Sequence, residues 1–211
     1  MTTLYLDWQR PKDGARFDPV PGLPPLAWGG QEDQFVRANS DAIEQKAFRI
    51  YDLKTPLAVA FVNCRSGDDF AGFVAEHGFP WFPNQKFGVI GMEALTGLRV
   101  DLVEGLEGCN LTAHQKVELG RCSLGAIAIE PTLEFSRVTN APRLTMRPGN
   151  LAHLMRLEII SAYEDGASFR RCEHCDNGFL TGKNTQGRST ARFCADKCRM
   201  AALRKRAKGG R

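Results

Sequence analysis

Four cysteines near the end of the chain constrain the fold more than any other feature. Cys172 and Cys175 form a Cys-x2-Cys pair, and after 18 intervening residues Cys194 and Cys198 form a Cys-x3-Cys pair. Two thiolates on a tight turn and two more nearby can complete a tetrahedral zinc shell. The spacing therefore predicts one structural Zn²⁺, because a shell filled by four protein ligands leaves no position for a substrate.

Other uses of these cysteines are less favoured. A thioredoxin-like redox centre needs only the first pair, and iron–sulfur clusters use differently spaced runs. The chain has seven cysteines, an uneven number for disulfides, and it has neither a secretory signal at its start nor a run of 18 apolar residues. We therefore expect a cytoplasmic protein, in which paired cysteines serve as metal ligands more often than as disulfides.

The same spacing suggests a treble-clef module over residues 169–211. In this arrangement the first pair lies on a turn, Phe179–Leu180 pairs with 191–193 as a hairpin, and Cys194 begins a helix. Phe179 and Phe193 are expected to pack beside the metal, while His174 is expected to stay outside the shell. A module of about 40 residues with few apolar side chains needs the free energy of metal binding in order to fold.

The distribution of charged residues changes where the predicted module begins, near residue 170. Residues 170–211 contain twelve Lys and Arg but three Asp and Glu, whereas residues 1–169 contain sixteen basic and twenty-one acidic residues. A basic module on a mildly acidic body suggests a polyanionic partner, with a solvated tail as the alternative. The candidate phosphate contacts are Lys183, Arg188, Arg192, Lys197, Arg199, Arg204, Lys205, Arg206 and Lys208.

The preceding 168 residues have the pattern of an α+β domain. The first 30 residues contain many Pro and Gly and predict an arm without regular elements. The run 57–63 favours a buried strand, with a helix end as the alternative. Helices are predicted over 66–78, 92–106 and 150–166, a further helix could open at Thr112 and Gln115, and 126–146 indicates two or three strands.

The body shows no catalytic constellation. Cys64, Cys109 and Cys122 lie among apolar residues and are expected to behave as small buried side chains. Asp68 and Asp69 fit the capping of a helix better than acid–base chemistry. We therefore expect a protein that is not an enzyme, while an enzyme with an unrecognised site in the body remains an alternative.

The order of parts resembles that of bacterial CGNR-type zinc-finger proteins. The resemblance is carried by the helix "NLAHLMRLEIISAYEDG", then "FRRCEHCDNGF", a polar loop and "ARFCADKCRMAALRKR". Where the family has Gly-Asn-Arg after the last cysteine, this chain has Arg199, Met200 and Ala201. The resemblance implies a bacterial cytoplasmic protein, zinc bound by the four cysteines, and nucleic-acid binding by a transcription regulator whose N-terminal domain senses a small-molecule or protein effector.

These observations favour a nucleic-acid binder, with DNA preferred over RNA as the partner. The alternative is a zinc-stabilised protein-interaction module that docks through Met200 and Leu203, on the side of the last helix away from the ligands. The two differ in their response to salt, because phosphate contacts weaken steeply as the salt concentration rises.

Overall fold

Strands and helices both occur along the chain, as the α+β prediction requires. A computed structural model describes residues 5–18, 34–49, 56–81, 88–111, 127–136 and 141–209. In chain order these residues form β1 (Tyr5–Pro11), β2 (Ala15–Asp18), β3 (Phe35–Ala38), β4 (Ile43–Arg49), α1 (Leu57–Val62), α2 (Gly67–His77), β5 (Val89–Gly91), α3 (Met92–Gly108), β6 (Ile129–Ser136), β7 (Ala141–Pro148), α4 (Leu151–Glu164), β8 (Ser168–Arg171), β9 (Gly178–Thr181) and α5 (Asp196–Gly209).

All strand pairs within the described residues are antiparallel. β1 pairs with β4 from Tyr5 opposite Arg49 to Pro11 opposite Ile43. β3 lies between β2 and β5 in a three-stranded sheet. The pairs β6–β7 and β8–β9 each form a separate two-stranded ribbon. Each of the four small sheets contacts at least one helix, and isolated ribbons of this size need such packing to be stable.

The core is built mainly from the first four helices. Phe61 of α1 makes edge-to-face ring contacts with Phe70 and Phe73 of α2, at centroid distances of 5.3 and 4.9 Å. The periodic apolar residues of α3 and α4 pack into the same core, and several are fully buried, among them Leu95, Leu102, Leu106, Leu154, Met155 and Ile159. Each such side chain contributes about 1.5–3 kcal/mol by leaving water.

The strand predicted for 57–63 is wrong, since Leu57–Val62 is a helix. A short apolar run does not distinguish a strand from a helix buried on several sides. Here α1 packs among α2, α3 and α4, and Glu158 of α4 accepts a 2.8 Å hydrogen bond from the backbone N–H of Ala58. That bond satisfies a donor that the first turn of a helix otherwise leaves without a partner.

The prediction of an irregular arm over 1–30 is also wrong for its first half. β1 and β2 lie within it, before the Pro-rich stretch at 19–30, which is outside the described residues. Leu6 and Trp8 alternate toward the core, and the indole Nε1 of Trp8 donates a 2.8 Å hydrogen bond to the carbonyl oxygen of Phe79. Period-two burial and a long antiparallel partner are enough to form a strand here.

The other predicted elements agree with the structure. Ser66 and Asp69 form a capping box at the start of α2, and the Asn150 side chain caps α4 by accepting from the His153 N–H at 2.8 Å. The apolar pattern at 92–106 belongs to α3, and 126–146 contains most of β6 and β7. The possible capping box at Thr112 and Gln115 lies outside the described residues. Among the helices that are described, none combines the length and the apolar character needed to cross a membrane.

Candidate metal centre

The structure brings the four cysteines of the C-terminal region together. Cys172 follows β8, Cys175 lies in the turn to β9, Cys194 precedes α5, and Cys198 lies in the first turn of that helix. Their Sγ atoms all lie within 4.8 Å of one another. The Cys175–Cys194 and Cys194–Cys198 pairs are 3.6 Å apart, and the Cys198–Cys175 pair is 3.8 Å apart.

These separations fit a metal shell and exclude disulfides between the paired atoms. A metal–sulfur bond of about 2.3 Å in a tetrahedral shell places neighbouring sulfurs about 3.8 Å apart. A disulfide would hold two of them at about 2.05 Å, and all four cysteines are free. The four residues can therefore hold one metal ion, in the arrangement that their spacing predicts.

Local backbone geometry fixes the first pair. The N–H of Asp176 donates to the carbonyl oxygen of Cys172, and the N–H of Cys172 donates to that of Asn177, both at 2.9 Å. Asp176 has a φ of 60°, in the left-handed region that Asp and Asn tolerate better than most residues. The sequence Cys-Asp-Asn-Gly therefore closes a tight turn that directs both thiols to the same side.

The thiols differ in their tendency to ionise. Burial opposes ionisation of Cys172, but hydrogen bonds from the backbone N–H groups of Cys175, Cys194 and His174 lower its pKa to about 6. Burial raises the pKa of Cys194 and of Cys198, and the neighbouring thiols of Cys175 and Cys172 raise both further. A cation bound among the four sulfurs would allow all of them to be thiolates at neutral pH.

A small apolar cluster surrounds the cysteines. Phe179, Cys172 and Cys198 are buried together, and Phe193 and Ala191 pack against them while remaining half-exposed. Phe179 and Phe193 thus lie beside the cysteines, as predicted. His174 is exposed and does not belong to the group that could hold a metal.

The hairpin predicted for this region is wrong. Phe179–Leu180 pairs with Phe169–Arg170, so that β8 and β9 enclose the first cysteine pair. Residues 191–193 are not in a strand, although the Glu173 N–H donates to the Arg192 carbonyl oxygen at 3.2 Å. The prediction did not include Phe169–Arg170 as a partner, although it is nearer to Phe179–Leu180 in the chain than 191–193 and therefore closes a shorter loop. The helix also begins at Asp196, two residues later than expected.

Two asparagines of the body attach this hairpin by backbone hydrogen bonds. Asn63, at the end of α1, donates to the carbonyl oxygen of Gly178 at 3.0 Å and accepts from its N–H at 2.7 Å. Asn110, just after α3, does the same with Phe169, at 2.8 and 2.9 Å. Phe169 and Leu180 also pack into the core of the body. Sequence reasoning missed both asparagines, because a lone Asn after a helix carries no signal of a partner far along the chain.

Most of the predicted phosphate-contact residues carry exposed side chains. These are Lys183, Arg188, Arg192, Lys197, Arg199, Arg204, Lys205 and Arg206, and Lys208 also belongs to α5. Arg192 forms an ion pair with Glu173, and Arg199 lies 3.2 Å from an oxygen of Asp196. In the described part of the chain, none of the remaining exposed members forms an ion pair. Their contact with phosphate stays a prediction.

The described cysteines of the body do not belong to the group that could hold a metal. Cys64 and Cys109 are buried in the main core, as expected, and Cys122 lies outside the described residues. Burial raises the pKa of Cys64 to about 12. A thiol with such a pKa is a poor nucleophile at neutral pH, in keeping with a packing role.

The chain was compared with protein families, curated proteins and solved structures. No family model matches it, and neither a curated protein nor a solved structure is significantly similar to it. The resemblance to CGNR-type zinc-finger proteins therefore stays a prediction, and function has to be inferred from the chemistry of the site.

Proposed function

We propose that this protein binds nucleic acid, with DNA as the preferred partner, through a basic surface that a structural zinc ion holds in shape. The observation that carries the proposal is the position of α5. The helix starts in the cysteine cluster through Cys198 and exposes Lys197, Arg199, Arg204, Lys205 and Arg206. Such a surface suits the phosphate backbone, which supplies most of the affinity of non-specific nucleic-acid binding.

Zinc is the proposed metal because four thiolates at tetrahedral separations are typical of structural zinc sites. The ion would be held by Cys172, Cys175, Cys194 and Cys198, and a shell of four protein ligands leaves no position for a substrate. Its role in this proposal is to fold the module, since the apolar cluster around it is too small to stabilise the region alone. The protein is accordingly proposed to act by binding and not as an enzyme.

The helix periodicity supports phosphate contact along two rows. At 100° per residue, Lys197, Arg204 and Lys208 lie on one flank of α5 and Arg199 and Arg206 on the other. Two cationic rows on one helix can contact phosphates on both sides of a groove or strand. The exposed Lys183 and Arg188 extend the positive charge onto the preceding loop.

The proposal includes a regulatory role, because the chain resembles CGNR-type zinc-finger proteins. In that role the treble-clef module binds DNA in a bacterial cytoplasm, and the body binds a small-molecule or protein effector. The bonds from Asn63 and Asn110 support communication between the two parts, because a change in either helix end would alter the backbone beside the cysteines.

The test is fluorescence anisotropy of a labelled 20-base-pair duplex with the zinc-loaded protein across a salt series. We expect log affinity to fall linearly with log salt concentration. Changing Arg199, Arg204, Lys205 and Arg206 to Ala should flatten that slope by up to about 4 units, since each lost phosphate contact contributes about 0.9. Lys12→Ala with Arg16→Ala, exposed in the body, is the control. An unchanged slope in the four-residue variant, with zinc retained, would contradict the proposal.

A second function is favoured by two exposed apolar side chains on α5. Met200 and Leu203 lie on the side opposite the cysteines and are 43% and 49% exposed. Both would suit a protein partner that docks on this helix. In that case affinity for the partner would change little with salt, and the pair Met200→Ser and Leu203→Ser would abolish it without changing nucleic-acid binding.

A further inference from the structure

A cleft of about 640 Å³ lies beside the cysteine cluster, between the loop before Cys194 and the start of α5. It is lined by residues 186–188, 190–196 and Arg199. Its volume falls within the range of roughly 300–1,000 Å³ that is typical of small-ligand sites. The cleft thus has room for a nucleotide-sized group, and it adjoins the proposed nucleic-acid surface.

Three arginines give the cleft its charge. Arg188, Arg192 and Arg199 line it together with Asp196, which is the one acidic residue among the lining residues. Glu173 accepts two hydrogen bonds from Arg192, from Nε and, at 2.7 Å, from Nη2. The Nη1 group of Arg192 makes no hydrogen bond to any residue that the structure describes. Glu173 therefore orients this guanidinium and leaves donors for an anion, which lowers the entropic cost of binding.

Arg188 is the arginine with the fewest restraints. Its side chain is exposed and forms no ion pair or hydrogen bond within the described residues. Among the described residues, Arg199 forms one ion pair, with Asp196 at 3.2 Å, and a guanidinium has five N–H donors, so most of its donors remain available. An anionic group in the cleft would meet two arginines that need not break a strong bond first.

Apolar surface lies next to these charges. Phe193 is half-buried, packs against the cysteine cluster and also lines the cleft, and Ala191 and Ala195 line it as well. Aromatic faces and guanidinium planes are the surfaces on which unpaired bases stack. The cleft therefore combines sites for the two halves of a nucleotide, a phosphate and a base.

We infer that this cleft receives one unpaired nucleotide of a single-stranded nucleic acid, with its phosphate at Arg188 and Arg199 and its base at Phe193. The inference rests on the proposed function and specifies the form of nucleic acid that the module selects. A paired base within a duplex is stacked between its neighbours and cannot enter a cleft of this kind without being extruded. The cleft should therefore bind single strands in preference to duplexes.

The experiment compares two probes with the zinc-loaded full chain at one salt concentration. The first is a labelled strand of eight thymidines, and the second is a labelled eight-base-pair duplex. We expect the strand to bind about fivefold tighter or more, the effect of one stacked base, although the duplex has more phosphates. Equal or tighter binding of the duplex overturns the inference and leaves the proposed function intact. Failure of both probes to bind at low salt overturns both.

Two matched variants separate the cleft from general charge. Arg188→Ala should weaken binding of the strand about fivefold or more and remove its advantage over the duplex. Arg204→Ala removes the same charge from α5, outside the lining of the cleft, and should weaken both probes alike. Metal content shows that each variant is folded. If Arg188→Ala weakens the two probes equally, the cleft does not select the strand and the inference is wrong.

A free nucleotide has the same chemistry as one unit of a strand, so the two must be distinguished. Thymidine monophosphate should displace the strand only at concentrations about 100-fold above the strand's own dissociation constant, because a strand makes further contacts along α5. Displacement at equal concentration would assign the cleft to a free nucleotide and overturn the single-strand assignment.

Discussion

Asn63 and Gly178 lie 115 residues apart in the chain and exchange two hydrogen bonds, one from the Asn63 amide nitrogen at 3.0 Å and one from the Gly178 N–H at 2.7 Å. The bonds connect the end of α1 with the first residue of β9, three residues after Cys175. Arg65 adds a 3.3 Å ion pair with Asp176 in the turn. The body therefore holds the backbone from which Cys172 and Cys175, the first two candidate metal ligands, project.

Removing this connection should weaken the metal site from a distance. Asn63→Ala leaves the N–H of Gly178 without its partner, at a cost of about 1–3 kcal/mol in the free energy of unfolding. Because the turn is less restrained, zinc affinity measured by competition with a chelator should fall by about tenfold or more. Asn39→Ala removes one exposed bond to the Asp13 carbonyl oxygen and should change neither quantity appreciably. Wild-type zinc affinity in Asn63→Ala would contradict this coupling.

Metal removal should unfold the module and leave the body folded. A strong chelator is expected to abolish the helical signal of α5, while a reducing agent leaves it unchanged, because thiolate ligands need no oxidation. Circular dichroism at 222 nm follows the loss. Cys198→Ser should lower the metal content from one equivalent to near zero, and Cys109→Ala, in the main core, should keep one equivalent. Retention of metal by Cys198→Ser would argue against the proposed shell.

Because His77 is largely buried, we expect the protein to lose stability at acidic pH. Burial has the larger effect and the charge of Lys46 the next larger, and together they lower the pKa of His77 to about 4. In the unfolded chain the pKa is about 6.5. Between these values the unfolded state binds more protons, so the free energy of unfolding falls as the pH decreases from about 6.5 to 4. Because the side chain is partly exposed, we expect the free energy of unfolding to fall by only about 1–2 kcal/mol over this pH range.

The measurement is urea unfolding at several pH values, followed by tryptophan fluorescence, for the wild type and His77→Gln. The variant should lose about 1–2 kcal/mol less than the wild type over this pH range. Proton competition at the cysteines affects both proteins and cancels in the difference. Parallel pH profiles would show that His77 does not titrate as its surroundings indicate.

Replacing glycine by alanine at two positions of the α2 region should change the free energy of unfolding in opposite directions. Gly78 has a φ of +97°, and a Cβ there would lie 2.3 Å from the Gln9 carbonyl oxygen. Gly78→Ala is therefore expected to lower the free energy of unfolding by more than about 1 kcal/mol. Gly72 lies within the helix, and apart from its chain neighbours and the nearby backbone of α2 no described atom lies within 4 Å of such a Cβ, so Gly72→Ala should raise the free energy of unfolding by about 0.5–1 kcal/mol. Thermal unfolding of the two variants provides the comparison, and a stabilised Gly78→Ala would be inconsistent with the backbone described here.

The features that could be predicted from the sequence are those that depend on local chemistry. The positions of the four cysteines follow from ligand spacing, and the starts of α2 and α4 follow from the capping residues Ser66 and Asn150. Each of these signals involves residues close together in the chain or a metal geometry that few alternatives satisfy.

The features that were missed depend on partners far along the chain. α1 is a helix because it packs among three other helices and because Glu158 satisfies its Ala58 N–H. Phe179 pairs with Arg170, and the neighbouring Leu180 packs into the body core. Neither a short apolar run nor a dipeptide contains information about such distant contacts.

Dependence of nucleic-acid binding on the metal is best measured with one labelled DNA and the same protein before and after metal removal. We expect the zinc-loaded protein to bind at low salt, chelation to abolish binding, and one equivalent of zinc to restore it. Binding that is unchanged by metal removal, or no binding by a protein shown to hold zinc, would contradict the claim that a zinc-held basic module contacts nucleic acid.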